Sequence, residues 1–238
     1  MNRTDELKKK LKNEKKHDFN SLRELVEVLR SEGGCPWDRE QTHASIRADI
    51  IEETYEVIEA IDNSDPSLLR EELGDVMFQV MFHSRIEEEE NRFTVEEVVH
   101  DICEKMIVRH PHVFGTVEVS GTGEVLDNWD KIKKEEKSRK TARESMQAVP
   151  KQLPTLMRVQ KVAKKARKDN YDFGTDADLA AKLQSLTASL AAASDDEKQS
   201  ILNDIIFYSA VMSKTDTEKA VSDLTDDFIR NYPETTEE

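Results

Sequence analysis

The sequence contains few of the residues that interrupt helices. Only seven of its 238 residues are glycine and six are proline, and no segment shows the alternating pattern of an amphipathic strand. Glu, Lys, Leu and Ala, which favour helices, are abundant. Apolar spacing predicts helices over about 20–33, 42–61, 66–89, 95–110, 124–140, 155–168, 176–193, 195–213 and 216–231. The expected fold class is therefore all-α.

Other absences exclude whole classes of protein. The two cysteines, Cys35 and Cys103, form neither a disulfide framework nor a zinc quartet. No apolar run approaches the roughly 18–20 residues of a membrane span, and the basic segment Met1–Lys16 lacks the apolar stretch of a secretory signal. The net charge of −15 argues against coating of nucleic acid, because phosphate backbones bind basic surfaces. We expect a cytoplasmic protein without nucleic-acid or membrane partners.

Local signals indicate where several helices begin and which segments are loops. Asp65 suits an N-cap, and Pro66 suits the first helical position after it. Residues 34–38 and 111–123 are expected to be loops. Capping boxes are predicted at Thr94/Glu97, Ser194/Glu197 and Thr215/Glu218.

An internal repeat predicts two copies of one helical module. The apolar frame of the second and third helices recurs 129 positions later, so that Leu73 corresponds to Leu202 and Phe78 to Phe207. After a shorter loop the offset becomes 122. Passable alignment of any two amphipathic helices is the alternative explanation. The predicted division is a basic segment 1–19, a first module 20–148 and a second module 149–238.

Acidic side chains recur at helical spacing in the first module. Glu53 and Glu56 lie on one face of the second helix with Glu52 beside Glu56, and Glu72 and Asp75 lie on one face of the third. A short turn would bring the two faces together. Like charges about 4 Å apart repel by roughly 4 kcal/mol at an effective dielectric near 20. A bound cation would relieve this repulsion, and a site made only of oxygen ligands favours Mg²⁺, Mn²⁺ or Ca²⁺ over zinc.

The second copy shows that most of these carboxylates are not needed to build the helices. Its frame is kept, but only the aspartate survives: the five positions read Ala181, Lys182, Ser185, Ile201 and Asp204. The alternative interpretation of the first copy is an acidic helix face that is merely solvated. The asymmetry between the copies favours a functional site.

The acidic pattern, EExxE followed by ExxD, resembles that of the MazG nucleotide pyrophosphohydrolases, an all-α family. The resemblance is strong over about residues 20–175 and weak beyond. Five further motifs carry it: Gly34-Cys-Pro-Trp-Asp38 with Gln41-Thr42, Glu71-Glu-Leu-Gly-Asp75, Phe82-His83, Lys105 through Arg109 to Gly115, and Trp129-x-x-Ile-Lys133 with Glu136-Lys137.

This resemblance implies an activity and a role for each site residue. The activity is Mg²⁺-dependent hydrolysis of NTPs or dNTPs to a nucleoside monophosphate and pyrophosphate, with Mn²⁺ a substitute for Mg²⁺, in a homodimer. Glu53, Glu56, Glu72 and Asp75 would bind metal, and Glu52 would orient or deprotonate the attacking water. Lys105, Arg109 and Lys133 would face the substrate, and Trp129 would border the nucleotide.

Several other interpretations of the same residues remain open. Lys105 and Arg109 could serve the C-terminus of their helix, Trp129 could be packing, and His110 and His112 are expected to brace a loop rather than bind metal. The second module also departs from the family, with Asp227 and Asn231 at the positions of Lys105 and Arg109, so we interpret it as a degenerate repeat kept for packing or dimerisation.

Three other classes of function compete with hydrolysis. The first is a nucleotide or metal sensor without turnover, and the second is a purely structural helical dimer. The third is a di-iron protein, because Glu40-x-x-His43 and Glu97-x-x-His100 have the required spacing.

Overall fold

Helices form all the regular secondary structure in the computed structural model, which describes residues 2–136 and 141–233. The all-α prediction is confirmed for this part of the chain. The helices are α1 Arg3–Asn13, α2 Phe19–Arg30, α3 Pro36–Glu40, α4 Asp49–Asp62, α5 Pro66–Glu89, α6 Val95–Arg109, α7 Pro111–Phe114, α8 Thr122–Glu136, α9 Ala142–Gln147, α10 Thr155–Lys168, α11 Asp176–Leu190, α12 Asp195–Met212 and α13 Thr217–Arg230.

The chain divides into two compact units, Met1–Trp129 and Asp130–Glu238. The division falls within α8 and therefore earlier than the boundary predicted at residue 149, so the predicted module limits stay a prediction. The basic N-terminal segment forms α1, which Lys10 ties to α2 through Glu24. No described helix is long and apolar enough to cross a membrane.

The core of the first unit fixes the position of α5. Val26 of α2, Ile46 and Val95 are buried against Phe82 of α5. Met81 and Ile86 of α5 are buried in the same core. Arg30, at the end of α2, lies 5.1 Å from the centre of the Phe82 ring and pairs with Glu89 of α5. Because α5 is held along its C-terminal half, its N-terminal half is free to pair with α4.

Most capping predictions are confirmed. Asp65 accepts hydrogen bonds from the amides of Ser67 and Leu68 at the start of α5. The Thr94/Glu97 and Ser194/Glu197 boxes are present.

The prediction of a Thr215/Glu218 capping box is wrong. Asp216 caps α13 by accepting from the Lys219 amide. The Glu218 carboxylate instead accepts from the amides of Leu156 and Met157. These two amides lie in the first turn of α10, where N–H groups have no partner within the helix. Helix α10 begins after Pro154 without a side-chain cap of its own, so Glu218 takes that role.

Some loop and boundary predictions also differ from the structure. The predicted loops contain α3 and α7, each with proline at its first position, where the missing N–H costs nothing. The helix predicted from residue 42 begins at Asp49, because residues 43–48 form turns. The helix predicted over 124–140 begins at Thr122, and its positions 137–140, including Lys137 of the family motif, lie outside the described residues.

The second unit also contains a pair of packed helices, but without the glutamates of the first. Helices α11 and α12 pack together as α4 and α5 do. Phe207 packs against a core of Ala163, Leu179 and Val211, and it occupies the repeat position of Phe78, which packs against the first core. The packing is consistent with the predicted repeat.

Candidate functional site

The helical hairpin of α4 and α5 brings three glutamates together. Glu53 and Glu56 lie one turn apart on α4, and Glu72 lies on the facing helix α5. One carboxylate oxygen from each lies within 4.8 Å of the others. Glu72 is only 8% exposed, whereas Glu53 and Glu56 are half-buried. The predicted convergence of the two acidic faces is therefore seen for these three side chains.

The other two predicted acidic residues are exposed. Asp75 is exposed, but its charge is close enough to raise the pKa of both Glu53 and Glu72. Glu52 is exposed in the first turn of α4. Three carboxylates thus form the centre of the cluster, and Asp75 lies close to them.

The electrostatics of the cluster are unfavourable in the metal-free protein. Burial is the largest cause that raises the pKa of Glu53 to about 6, followed by a hydrogen bond with Glu56 and the charges of Asp75, Glu56 and Glu72. Burial also raises the pKa of Glu72, with Glu56 and Asp75 adding to the effect. Within the described residues, no lysine or arginine forms an ion pair with any of the three central glutamates. A divalent cation would remove the repulsion.

A histidine pair lies on the face of α5 near its C-terminal half, and sequence reasoning missed it. His43 stacks on His83 with ring centroids 5.0 Å apart, and their Nδ1 atoms are 2.7 Å apart, so one donates to the other. Nε2 of His43 lies 2.5 Å from Glu87, whose pKa falls to about 2, first because Arg92 donates to it and then because of His43. The network ties the turn before α4 to α5.

The di-iron alternative has no support in the described structure. His43 contacts His83 and Glu87 rather than Glu40, and Glu97 uses its carboxylate to cap α6. Among the residues that the structure describes, the one group able to hold a metal by proximity contains no histidine.

The predicted substrate-binding residues are spread along α6 and α8. Lys105 is exposed on α6, and Arg109 is buried at its end. Lys133 is exposed on α8, in the second unit. Their roles toward a substrate stay a prediction.

Trp129 packs on the loop that follows α6. Its ring centroid lies 5.8 Å from that of His110, and His110 Nδ1 pairs with the Met106 carbonyl at 2.5 Å. His112 also packs on His110, a contact that is consistent with the expectation that both histidines brace the loop. In the part of the chain that the structure describes, the Trp129 indole nitrogen is buried without a hydrogen-bond partner, and so is Nδ1 of the neighbouring His112. Unpaired buried polar atoms of this kind are uncommon in proteins.

Comparisons with known proteins identify the family. Residues 41–114, which include all five acidic residues, match the model of the MazG nucleotide pyrophosphohydrolase domain. The chain is 35% identical over 218 residues to the nucleoside triphosphate pyrophosphohydrolase/pyrophosphatase MazG of Thermotoga maritima, covering 90% of this chain and 84% of that protein. The chain belongs to the MazG family.

Two further relatives match about two thirds of the chain. The nucleoside triphosphate pyrophosphohydrolase of Escherichia coli K12 is 41% identical over 160 residues, which are 67% of this chain and 61% of that protein. The protein YabN of Bacillus subtilis is 47% identical over 149 residues, 62% of this chain and 30% of YabN. The chain thus spans less than two thirds of the length of either relative.

The raised pKa of Glu53 gives a prediction for this MazG chain. Folding favours protonated Glu53, so this contribution to stability is complete below the unfolded pKa near 4.5 and is lost as the pH rises through about 6. In metal-free buffer, Glu53→Gln should therefore melt roughly 2–4 °C above wild type at pH 8, the shift that about 1 kcal/mol produces in a chain of this size. The two proteins should melt alike at pH 4.5.

Glu59→Gln is the matched control, because Glu59 lies exposed on the same helix and the charge change is identical. Melting can be followed by circular dichroism. Equal shifts for both variants at pH 8 would contradict the assignment of the repulsion to the cluster.

Proposed function

We propose that this MazG chain hydrolyses NTPs or dNTPs to nucleoside monophosphate and pyrophosphate at the carboxylate cluster, with Mg²⁺ or, in its place, Mn²⁺. The observation that carries the proposal is the group formed by Glu53, Glu56 and Glu72, which has no cationic partner in the described structure. The names of the Escherichia coli and Thermotoga maritima relatives agree with this activity. A cytoplasmic location, where these nucleotides are abundant, belongs to the same proposal.

The donor set fits a hard cation. All the donors are carboxylate oxygens, which suit Mg²⁺ and Mn²⁺. The pKa of Glu53 is raised by burial and by neighbouring negative charges, and a bound cation would offset those charges. We assign Glu53, Glu56, Glu72 and Asp75 as the residues that would hold the metal. When bound, Mg²⁺ would supply positive charge to the phosphates and acidify a water molecule.

The remaining residues of the proposal handle water and substrate. Glu52, exposed in the first turn of α4, would accept a proton as the water oxygen bonds to the α-phosphorus and the bond to the bridging oxygen breaks, releasing pyrophosphate. Lys105, Arg109 and Lys133 would offset the charge of the triphosphate. Trp129 would border the nucleotide, with its ring available to stack on the base or ribose.

The first experiment measures turnover and the position of attack. Purified protein is incubated with NTPs and dNTPs plus Mg²⁺ in ¹⁸O-labelled water, and the products are analysed by mass spectrometry. Attack at the α-phosphorus places the label in the monophosphate and leaves pyrophosphate unlabelled. Changes in residues that support metal ligands typically lower activity by roughly 10–100-fold. The Glu53→Gln, Glu56→Gln double variant removes two proposed ligands, so its turnover should fall by more than this.

The control variant is Glu59→Gln, which should retain wild-type turnover. Label in pyrophosphate would contradict attack at the α-phosphorus. Mg²⁺-dependent nucleotide binding without turnover would favour the sensor alternative, and unchanged turnover in the double variant would remove the reaction from this cluster.

We also propose that the α4–α5 hairpin pairs with a second copy of the chain. Ile51, Tyr55 and Ile58 form an exposed apolar face on α4, and Leu73 and Met77 form one on α5, although side chains at such helical spacing usually pack. Gly74 adds to the argument, since a side chain there would meet nothing in the described structure and glycine inside a helix costs up to about 1 kcal/mol. Close approach of another backbone would account for it.

Sedimentation equilibrium tests this dimer. Wild type should sediment as a dimer, and Ile58→Glu should weaken association at least about tenfold because it places a charge in the apolar face. Phe19→Glu is the control, since Phe19 is 47% exposed against 44% for Ile58 but lies on α2. A wild-type monomer at micromolar concentration, or equal weakening by both changes, would contradict this interface.

A further inference from the structure

The second unit contains an open cavity whose lining residues include four cationic ones. The cavity has a volume of about 540 Å³, within the range of small-molecule sites. It lies where α10 and α12 end. Its polar and charged lining consists of Lys164, Arg167, Lys168 and Lys214, together with Gln160 and Ser213.

One of the four cations is fixed by the fold. Arg167 donates to the Val211 carbonyl at 2.6 Å and lies 5.3 Å from the centre of the Phe173 ring. These contacts hold its guanidinium in place at the wall of the cavity. Arg167 therefore supplies a rigid positive charge, but its presence has a structural explanation.

The three lysines leave an excess of positive charge. Lys168 pairs with Asp130, and Lys214 pairs with Asp176 at 2.6 Å. In the part of the chain that the structure describes, Lys164 forms no ion pair. Four cations therefore face two carboxylates at one location, in a chain whose net charge is −15.

Helix dipoles account for only part of this charge. Arg167 and Lys168 lie in the last turn of α10, where cations offset the negative end of the helix. Lys164 lies a turn earlier, and Lys214 lies beyond the end of α12. Neither is needed to complete a helix end, yet both line the cavity.

We propose that this cavity binds a small phosphorylated polyanion, of the size and charge of a di- or triphosphate. Lysine ammonium groups bind phosphate as point charges, and Arg167 adds an oriented donor. The site goes beyond the proposed hydrolysis, because it lies in the second unit and uses none of the five acidic residues. It gives the degenerate module a ligand of its own.

Isothermal titration calorimetry tests the site with inorganic pyrophosphate as the probe. The full chain carries Glu53→Gln and Glu56→Gln, and the buffer is stripped of metal by resin, since a chelator such as EDTA is itself a polyanion. Pyrophosphate should bind with an affinity that falls as salt rises. Adding Lys164→Glu and Lys214→Glu should weaken binding at least about tenfold.

The matched control adds Lys151→Glu and Lys198→Glu, two exposed lysines of the same unit outside the cavity with the same total change in charge. It should bind like its parent, and circular dichroism shows that all variants are folded. Absence of binding in the parent would overturn the proposal. Equal weakening in both charge-reversal variants would also overturn it, because only the overall charge would then matter.

Discussion

The tendency of the candidate site to bind a cation depends on the repulsion between the carboxylates that the α4–α5 hairpin holds together. Glu72 is buried, and one oxygen from each of Glu53, Glu56 and Glu72 lies within 4.8 Å of the others. Like charges at such distances repel by several kcal/mol at an effective dielectric near 20. Below about pH 6 the metal-free cluster reduces this repulsion by holding a proton on Glu53, whose pKa is raised to about 6.

The rest of the first unit holds the two helices against this repulsion. Phe82 and its apolar neighbours fix the C-terminal half of α5, and Arg30 pairs with Glu89 in the same region. The His43–His83–Glu87 network ties the turn before α4 to α5. An unfavourable charge cluster is therefore placed on a scaffold whose favourable interactions lie elsewhere, as is typical of functional sites.

Local patterns in the sequence predicted the helices and the centre of the site because both depend on residues close in the chain. The spacing of Glu53 and Glu56 and the Asp65–Pro66 start of α5 fix the hairpin within a few residues. The contacts of Glu218 and His43 were not predictable, since their partners are set by tertiary packing: Glu218 caps α10 across the fold. The cationic cavity likewise joins residues from helices distant in sequence.

The two units carry different charges at positions that the predicted repeat aligns. Lys182 stands at the repeat position of Glu53, and its ammonium lies 3.9 Å from the centre of the Tyr208 ring. The second unit thus keeps apolar packing at Phe207 while its polar positions have changed. In our account the first unit presents carboxylates to a metal, and the second presents ammonium groups to an anion.

The most direct test of the central claim is calorimetric titration of Mg²⁺ into the metal-free protein at pH 6 and pH 8, in buffers of different ionisation enthalpy. Because the pKa of Glu53 is about 6, binding at pH 6 should release about half a proton per ion, and binding at pH 8 almost none. The Glu53→Gln, Glu56→Gln variant should show neither binding nor release. Mg²⁺ binding without proton release at pH 6, or binding retained by this variant, would contradict the account.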